Sequence, residues 1–251
     1  MCTVSFIPRS QGFYLAMNRD EKRVRFTALA PAVAKSGRRR AVLPREPSGG
    51  TWISANDAGV CLALINWHRI EREPKNGLRS RGIVVRELAG KSTAAQLAVA
   101  LKKLPLRQFR PFRLIAIFPG KTRVTEWRWN LERLTRHDHQ WQRQHWFSSG
   151  FEERAAERVR RKVCASFVAR ADAPGYGLKW LRKLHRSHAP KRGPFSVCMH
   201  RPDATTVSYT EVAVSDRRAT MRYKPGPPCA VTRTTIKTLP IISAVSSKLR
   251  L

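Results

Sequence analysis

Two strand-like runs stand at the start of the chain, Cys2 to Ile7 and Phe13 to Met17, joined by "PRSQG", whose Pro and Gly supply turn chemistry. A hairpin at the terminus is followed by more strands, then helices, then strands again, with no regular β-α-β alternation. That order constrains the fold most. It favours an α+β layered domain over a doubly wound parallel sheet.

The individual runs support this reading. "GGTWISA" and "VCLALIN" around "NDAG" predict a second hairpin, because Asn56, Asp57 and Gly59 can take tight-turn conformations. The stretch 24–49, with three prolines and the triplet Arg38-Arg39-Arg40, predicts a long irregular excursion. From Ser80 to Leu104 apolar residues recur at helical spacing, and Gly90 with Ser92 breaks the stretch into two helices. "FRLIAIF" and "TRVTEWRW" predict a strand pair around "PGK", and "HWFSS" a further strand. Helices are expected over about 151–170 and 174–187, then strands in "FSVCMHR", "TVSYTEVAV" and "RATMRY". Residues 1–229 are thus expected to form one domain. The segment 230–251, rich in Thr and Ser and without a clear period, is expected to be a disordered tail.

No apolar run approaches the roughly 20 residues needed to span a bilayer, and no leader pattern opens the chain. A cytoplasmic location is expected. The charge is unusual: 49 Lys and Arg against 17 Asp and Glu give a formal net charge of +32 over 251 residues. Such a field attracts polyanions, but the basic residues are dispersed from Arg9 to Arg250 and carry no recognisable nucleic-acid motif. Contact with nucleic acid is expected to be non-specific.

The five cysteines, Cys2, Cys61, Cys164, Cys198 and Cys229, are odd in number and contain no C-x-x-C pair, which argues against a disulfide framework or a zinc ribbon. Cys61 and Cys198 lie in strand-like runs, where a free thiol acts as a small hydrophobe. His137 and His139, and His185 and His188, are close in sequence but lack Cys, Asp or Glu partners at ligand spacing beyond Asp138. No metal is expected. Phosphate-loop, dinucleotide and serine-hydrolase motifs are absent, as is a C-x-x-C-H haem attachment site, and no cofactor is expected.

Cys2 gains interest from its position. Loss of Met1 would leave one residue carrying both a thiol nucleophile and an α-amine able to act as base. If the second strand returns beside the first, Arg19 and Asp20 come back near Cys2, and a guanidinium there would stabilise the thiolate. Asn66, ending "VCLALIN", could donate to a developing oxyanion or simply terminate a strand.

"MC" at the start, "NRDE" at 18–21, "GGTW" at 49–52, "LALIN" at 62–66, "RSRG" at 79–82 and "PFSVCMHRPDATTVSYTEV" together resemble the NRDE-motif family, which includes transport and Golgi organisation 2-like proteins, in its bacterial branch. The resemblance implies an N-terminal-nucleophile (Ntn) hydrolase fold: a four-layer αββα sandwich of two antiparallel sheets between helices. It also implies kinship with cysteine hydrolases that cleave non-peptide amides. On that analogy Cys2 is the nucleophile, Asp20 contacts the α-amine, Arg19 lies near the thiol and Asn66 serves the oxyanion, with Asn18, Glu21 and Ser149 as additional candidates.

The sequence departs from the analogy twice. Arg19 and Asp20 are adjacent, where the hydrolases separate their Arg and Asp by two residues, so the pair must point to opposite strand faces unless the backbone bulges. Ser148-Ser149 stands where a Ser-Asn pair is usual, and a hydroxyl reaches less far than an amide. The resemblance therefore leaves an Ntn-type amidohydrolase beside a non-catalytic carrier of a small molecule, such as haem or an acyl-CoA or lipid, in the same cleft. Nucleic-acid binding, resting on charge alone, is a third reading.

Overall fold

A computed structural model describes residues 2–25, 27–75, 77–169 and 177–242. In chain order the strands are β1 (Cys2–Pro8), β2 (Phe13–Lys22), β3 (Leu29–Ser36), β4 (Arg39–Arg45), β5 (Ile53–Asn56), β6 (Cys61–Asn66), β7 (Phe112–Phe118), β8 (Arg123–Trp129), β9 (Leu134–His139), β10 (Gln144–Ser148), β11 (Ala204–Val214), β12 (Arg218–Lys224) and β13 (Thr235–Pro240). The helices are α1 (Gly82–Leu88), α2 (Ala94–Lys102), α3 (Glu153–Ala169) and α4 (Leu178–Arg186). The expected helix ends at 170 and 174–176 lie outside the described residues.

Among the described residues the strands form two antiparallel sheets. One runs β10-β1-β2-β11-β12-β13 and the other β3-β4-β5-β6-β7-β8-β9. The alternation of β1 and β2 explains the layering. Val4, Phe6, Leu15 and Met17 point between the sheets, where they join Ile53, Cys61, Ile65 and Ile115 from the second sheet in the central core. The opposite face of the first sheet, with Ile7 and Ala16, packs on Val163 of α3 and Trp180, Leu181 and Leu184 of α4. The outer face of the second sheet packs on Val84, Val85 and Leu88 of α1 and Leu97 and Leu101 of α2. The expected α+β sandwich of two sheets between helices is therefore the observed fold.

The opening hairpin forms as the turn residues predict. Gly12 sits at φ +90°, and a Cβ there would lie 1.9 Å from the Val214 carbonyl oxygen, so the turn requires glycine. Elsewhere the structure corrects the reading. The stretch expected to be irregular forms the hairpin β3–β4, with exposed Leu29 and Val33 on its edge strand. β9, "LTRHDH", has no apolar alternation to announce it and is mostly exposed at the other edge. "FSVCMHR" is a folded connection rather than a strand; its only described pairing is the single bridge His200 to Thr205. The expected disordered tail does not hold over 235–242. There β13 pairs with β12, Leu239 is buried and Ile242 donates to the Asp57 carbonyl at 2.6 Å. Residues 243–251 of that expectation lie outside the described residues.

Candidate active site

Cys2, on β1, stands directly opposite Arg19 of β2 on one side and Ser148 of β10 on the other. Directly opposed residues in an antiparallel ladder share a face, so the thiol, the guanidinium and the Ser148 hydroxyl all face the space between the sheets. The adjacency of Arg19 and Asp20 is resolved by alternation along β2, and the irregularity in this ladder falls on the facing β11, between Thr206 and Ser208. Asp20 faces the helical layer, where its carboxylate meets Arg160 of α3 at 3.3 Å and accepts from the Thr206 hydroxyl at 2.6 Å. Asn18 shares that face and donates to the His185 and Val197 carbonyls at 2.9 and 2.8 Å. It clamps α4 and the connection after it to the sheet.

Arg19 lies over the Trp52 ring at 4.5 Å and pairs with Glu46, while Glu21 approaches it at 3.6 Å. Arg25 joins the same two carboxylates at 3.0 and 3.1 Å. This network compensates the Arg19 charge. Burial is the larger effect on the thiol and pushes Cys2 above its ordinary value, while Arg19 acts in the expected direction. The Asp20 backbone N–H and Arg19 pull it down by less. A buried, protonated thiol needs a base.

Asn66 ends β6 opposite Phe112 and lines, with Cys2, Arg19, Asp20, Glu21 and Trp52, a cavity of about 240 Å³. Ser149 lies elsewhere. Its hydroxyl closes a turn with Phe151 at 2.5 Å, and its N–H donates to Glu153 at 3.3 Å at the start of α3. The serine beside the thiol is Ser148, whose buried Oγ has no hydrogen-bond partner among the described residues.

Several residues escaped the sequence reading. Arg79, Arg81 and Arg110 line the same cavity, and with Arg19 and Arg25 they outnumber its carboxylates, Asp20, Glu21 and Glu46. Burial and the nearby Arg110 lower the Arg81 pKa to about 10. The motifs "GGTW" and "RSRG" carried the signal, since they pack on each other. Thr51 donates to the Gly82 carbonyl at 3.0 Å, and a Cβ on Gly82 would meet the Thr51 nitrogen at 2.8 Å. Glu46 and Arg160 have no local signature.

The histidine pairs separate. His137 contacts Thr135, His139 contacts Glu126 and His185 contacts Ser5. His188 instead meets His200.

The profile of the family described as transport and Golgi organisation 2 matches residues 1–163. The chain belongs to that family. No curated protein matches its sequence. Among solved structures, penicillin V acylase from Agrobacterium tumefaciens matches with a TM-score of 0.51 and 12% identity, over 96% of this chain and 86% of that one. Two variants of conjugated bile acid hydrolase from Clostridium perfringens each match at 0.52 and 11%, over 96% of this chain and 92% of theirs. At such identities the likeness shows the fold, and this transport and Golgi organisation 2 family member has the Ntn-hydrolase fold. Among its described residues no helix is long and apolar enough to cross a membrane.

Proposed function

We propose that this protein is an N-terminal-cysteine amidohydrolase acting on a non-peptide amide of a small anionic molecule. The observation that carries the reading is the placement of Cys2 at the start of β1, facing a small cavity shared with Asn66 and walled by arginines. A cavity of about 240 Å³ suits a small acyl group, and its guanidinium groups suit a carboxylate or phosphate.

Removal of Met1 gives Cys2 a free α-amine. Asp20 lies one step beyond Arg19 on β2, at the level of the Cys2 nitrogen, and Arg160 and Thr206 hold it there. The amine takes the proton from Sγ as sulfur attacks the amide carbon. Asn66 donates to the oxygen that becomes negative. Collapse breaks the C–N bond, and the ammonium gives its proton to the departing amine. Water then attacks the thioester, with the α-amine again accepting a proton, and releases the carboxylic acid and the thiol.

The test is amine release from a panel of N-acyl amino acids. Turnover that is lost in Cys2→Ala and reduced about 10²–10³-fold in kcat by Asn66→Ala supports the reading. The compensated, arginine-lined cavity also favours a second reading, a carrier of an anionic ligand. Saturable binding of these compounds with no turnover by a chain beginning at Cys2 would establish that reading instead.

A further inference from the structure

We infer that His188, Cys198, His200 and Cys229 form a structural zinc site, independent of the reaction proposed above. The four are dispersed in sequence: His188 follows α4, Cys198 and His200 lie in the connection to β11, and Cys229 lies between β12 and β13. The fold brings their nitrogen and sulfur atoms within 4.8 Å of one another.

Three of the six ligand-to-ligand separations are short enough for the edges of a tetrahedron around one ion, and the other three lie within 4.8 Å. The His200 Nε2 faces three heteroatoms at once: His188 Nε2 at 3.2 Å, Cys198 Sγ at 3.6 Å and Cys229 Sγ at 3.4 Å. One imidazole nitrogen carries either a proton or a lone pair and can satisfy only one of these neighbours. A cation at the centre satisfies all four. With Zn–N near 2.0–2.1 Å and Zn–S near 2.3 Å, a tetrahedral site has N–N edges of about 3.3 Å and N–S edges of about 3.5 Å. The three observed separations fall close to those edges.

The donor set fits zinc. Two thiolates and two neutral imidazoles neutralise a divalent ion, so the surrounding positive charge does not oppose it, and four protein ligands leave no open position. The remaining nitrogen of His200, Nδ1, lies 3.4 Å from the Thr205 hydroxyl and 3.5 Å from Arg192 Nη2; of the two only the hydroxyl can accept its proton, and that bond would fix the ring for binding through Nε2.

The site has a structural task. Met199, between two ligands, exchanges hydrogen bonds with Thr206: the Met199 N–H donates to the Thr206 hydroxyl at 2.9 Å and its carbonyl accepts the Thr206 N–H at 2.9 Å. Thr206 in turn holds Asp20. The same connection supplies the Val197 and Pro194 carbonyls that accept from Asn18 and Arg160. An ion that ties this connection to the β12–β13 loop fixes the support behind Asp20.

No recognised four-ligand spacing shows in the sequence: Cys198 and His200 are two residues apart, but His188 and Cys229 join them only through tertiary contacts. The test is metal analysis of the full chain, purified without a polyhistidine tag under reducing conditions, followed by cobalt titration of the metal-stripped protein. About one zinc per chain is expected, with thiolate-to-cobalt charge transfer and intense tetrahedral d–d bands saturating near one equivalent. Cys229→Ala, a half-exposed loop position, should abolish the stoichiometric metal while circular dichroism verifies that it folds. Three results would overturn the inference. They are a wild-type cobalt spectrum without thiolate bands, zinc far below stoichiometry after reconstitution, and metal retained in folded Cys229→Ala.

Discussion

The Asp20 carboxylate and the Arg160 guanidinium meet at 3.3 Å with both side chains wholly withdrawn from solvent. Arg160 also donates to the Thr3 hydroxyl, so one residue of α3 spans the two strands that carry the proposed nucleophile and its supporting carboxylate. Replacing Arg160 with Met leaves Asp20 charged and buried without its cation. The expected loss is about 3–5 kcal/mol of stability, read from denaturant unfolding. A loss below about 1 kcal/mol would mean that the pair does not organise this layer.

Ser5 supports the same face. Its hydroxyl lies 2.8 Å from His145 Nδ1 and 2.9 Å from His185 Nε2, bridging β10 and α4. Ser5→Ala removes the partner of buried His185 and half-buried His145 and should cost about 1–3 kcal/mol at neutral pH, measured by the shift in the urea midpoint.

Burial holds those imidazoles neutral, with pKa values lowered to about 4 for His145 and about 3 for His185. The unfolded chain protonates the same residues near 6.5, so it binds more protons than the folded one between that pH and about 4. Stability is therefore fully present above about pH 6.5 and falls as pH drops through about 6 and 5. Thermal unfolding across that range checks the sign; a melting temperature that rises on acidification to about pH 5 contradicts it.

The segment after residue 234 shows how far sequence pattern can mislead. Ending the chain at Thr234 removes β13, with buried Leu239 and with Ile241 packed on the central core. A loss of about 2–4 kcal/mol is expected, together with aggregation through the uncovered β12 edge. Unchanged melting would restore the reading of this segment as a dispensable tail.

What could be read from the sequence was what local periodicity and turn chemistry encode. The hairpin β1–β2, the strands β5 to β8, and the helices α1 to α4 all follow from apolar spacing and from Gly, Pro and Asn at the turns. β3 and β13 escaped because edge strands bury little and their residues alternate weakly. β4 is an interior strand with residues 41–44 buried, and the arginine triplet and prolines around it masked that apolar run. In the site, alternation was enough to separate Arg19 from Asp20. It could not show that Arg19 is compensated by Glu46, 27 positions away, or that Ser148 rather than Ser149 faces the thiol. Those facts depend on register and on loops brought together by the two sheets.

In the proposed reaction Cys2 works through its own α-amine, since burial keeps the thiol protonated and Arg19 is compensated. Intact-mass analysis before and after brief treatment with a small haloacetamide, with the adduct mapped by peptide fragmentation, tests that assignment without needing a substrate. A mature chain that begins at Cys2 is expected, with an adduct that forms there first. A chain that retains Met1, or one in which Cys2 is modified no faster than half-exposed Cys229, would overturn it.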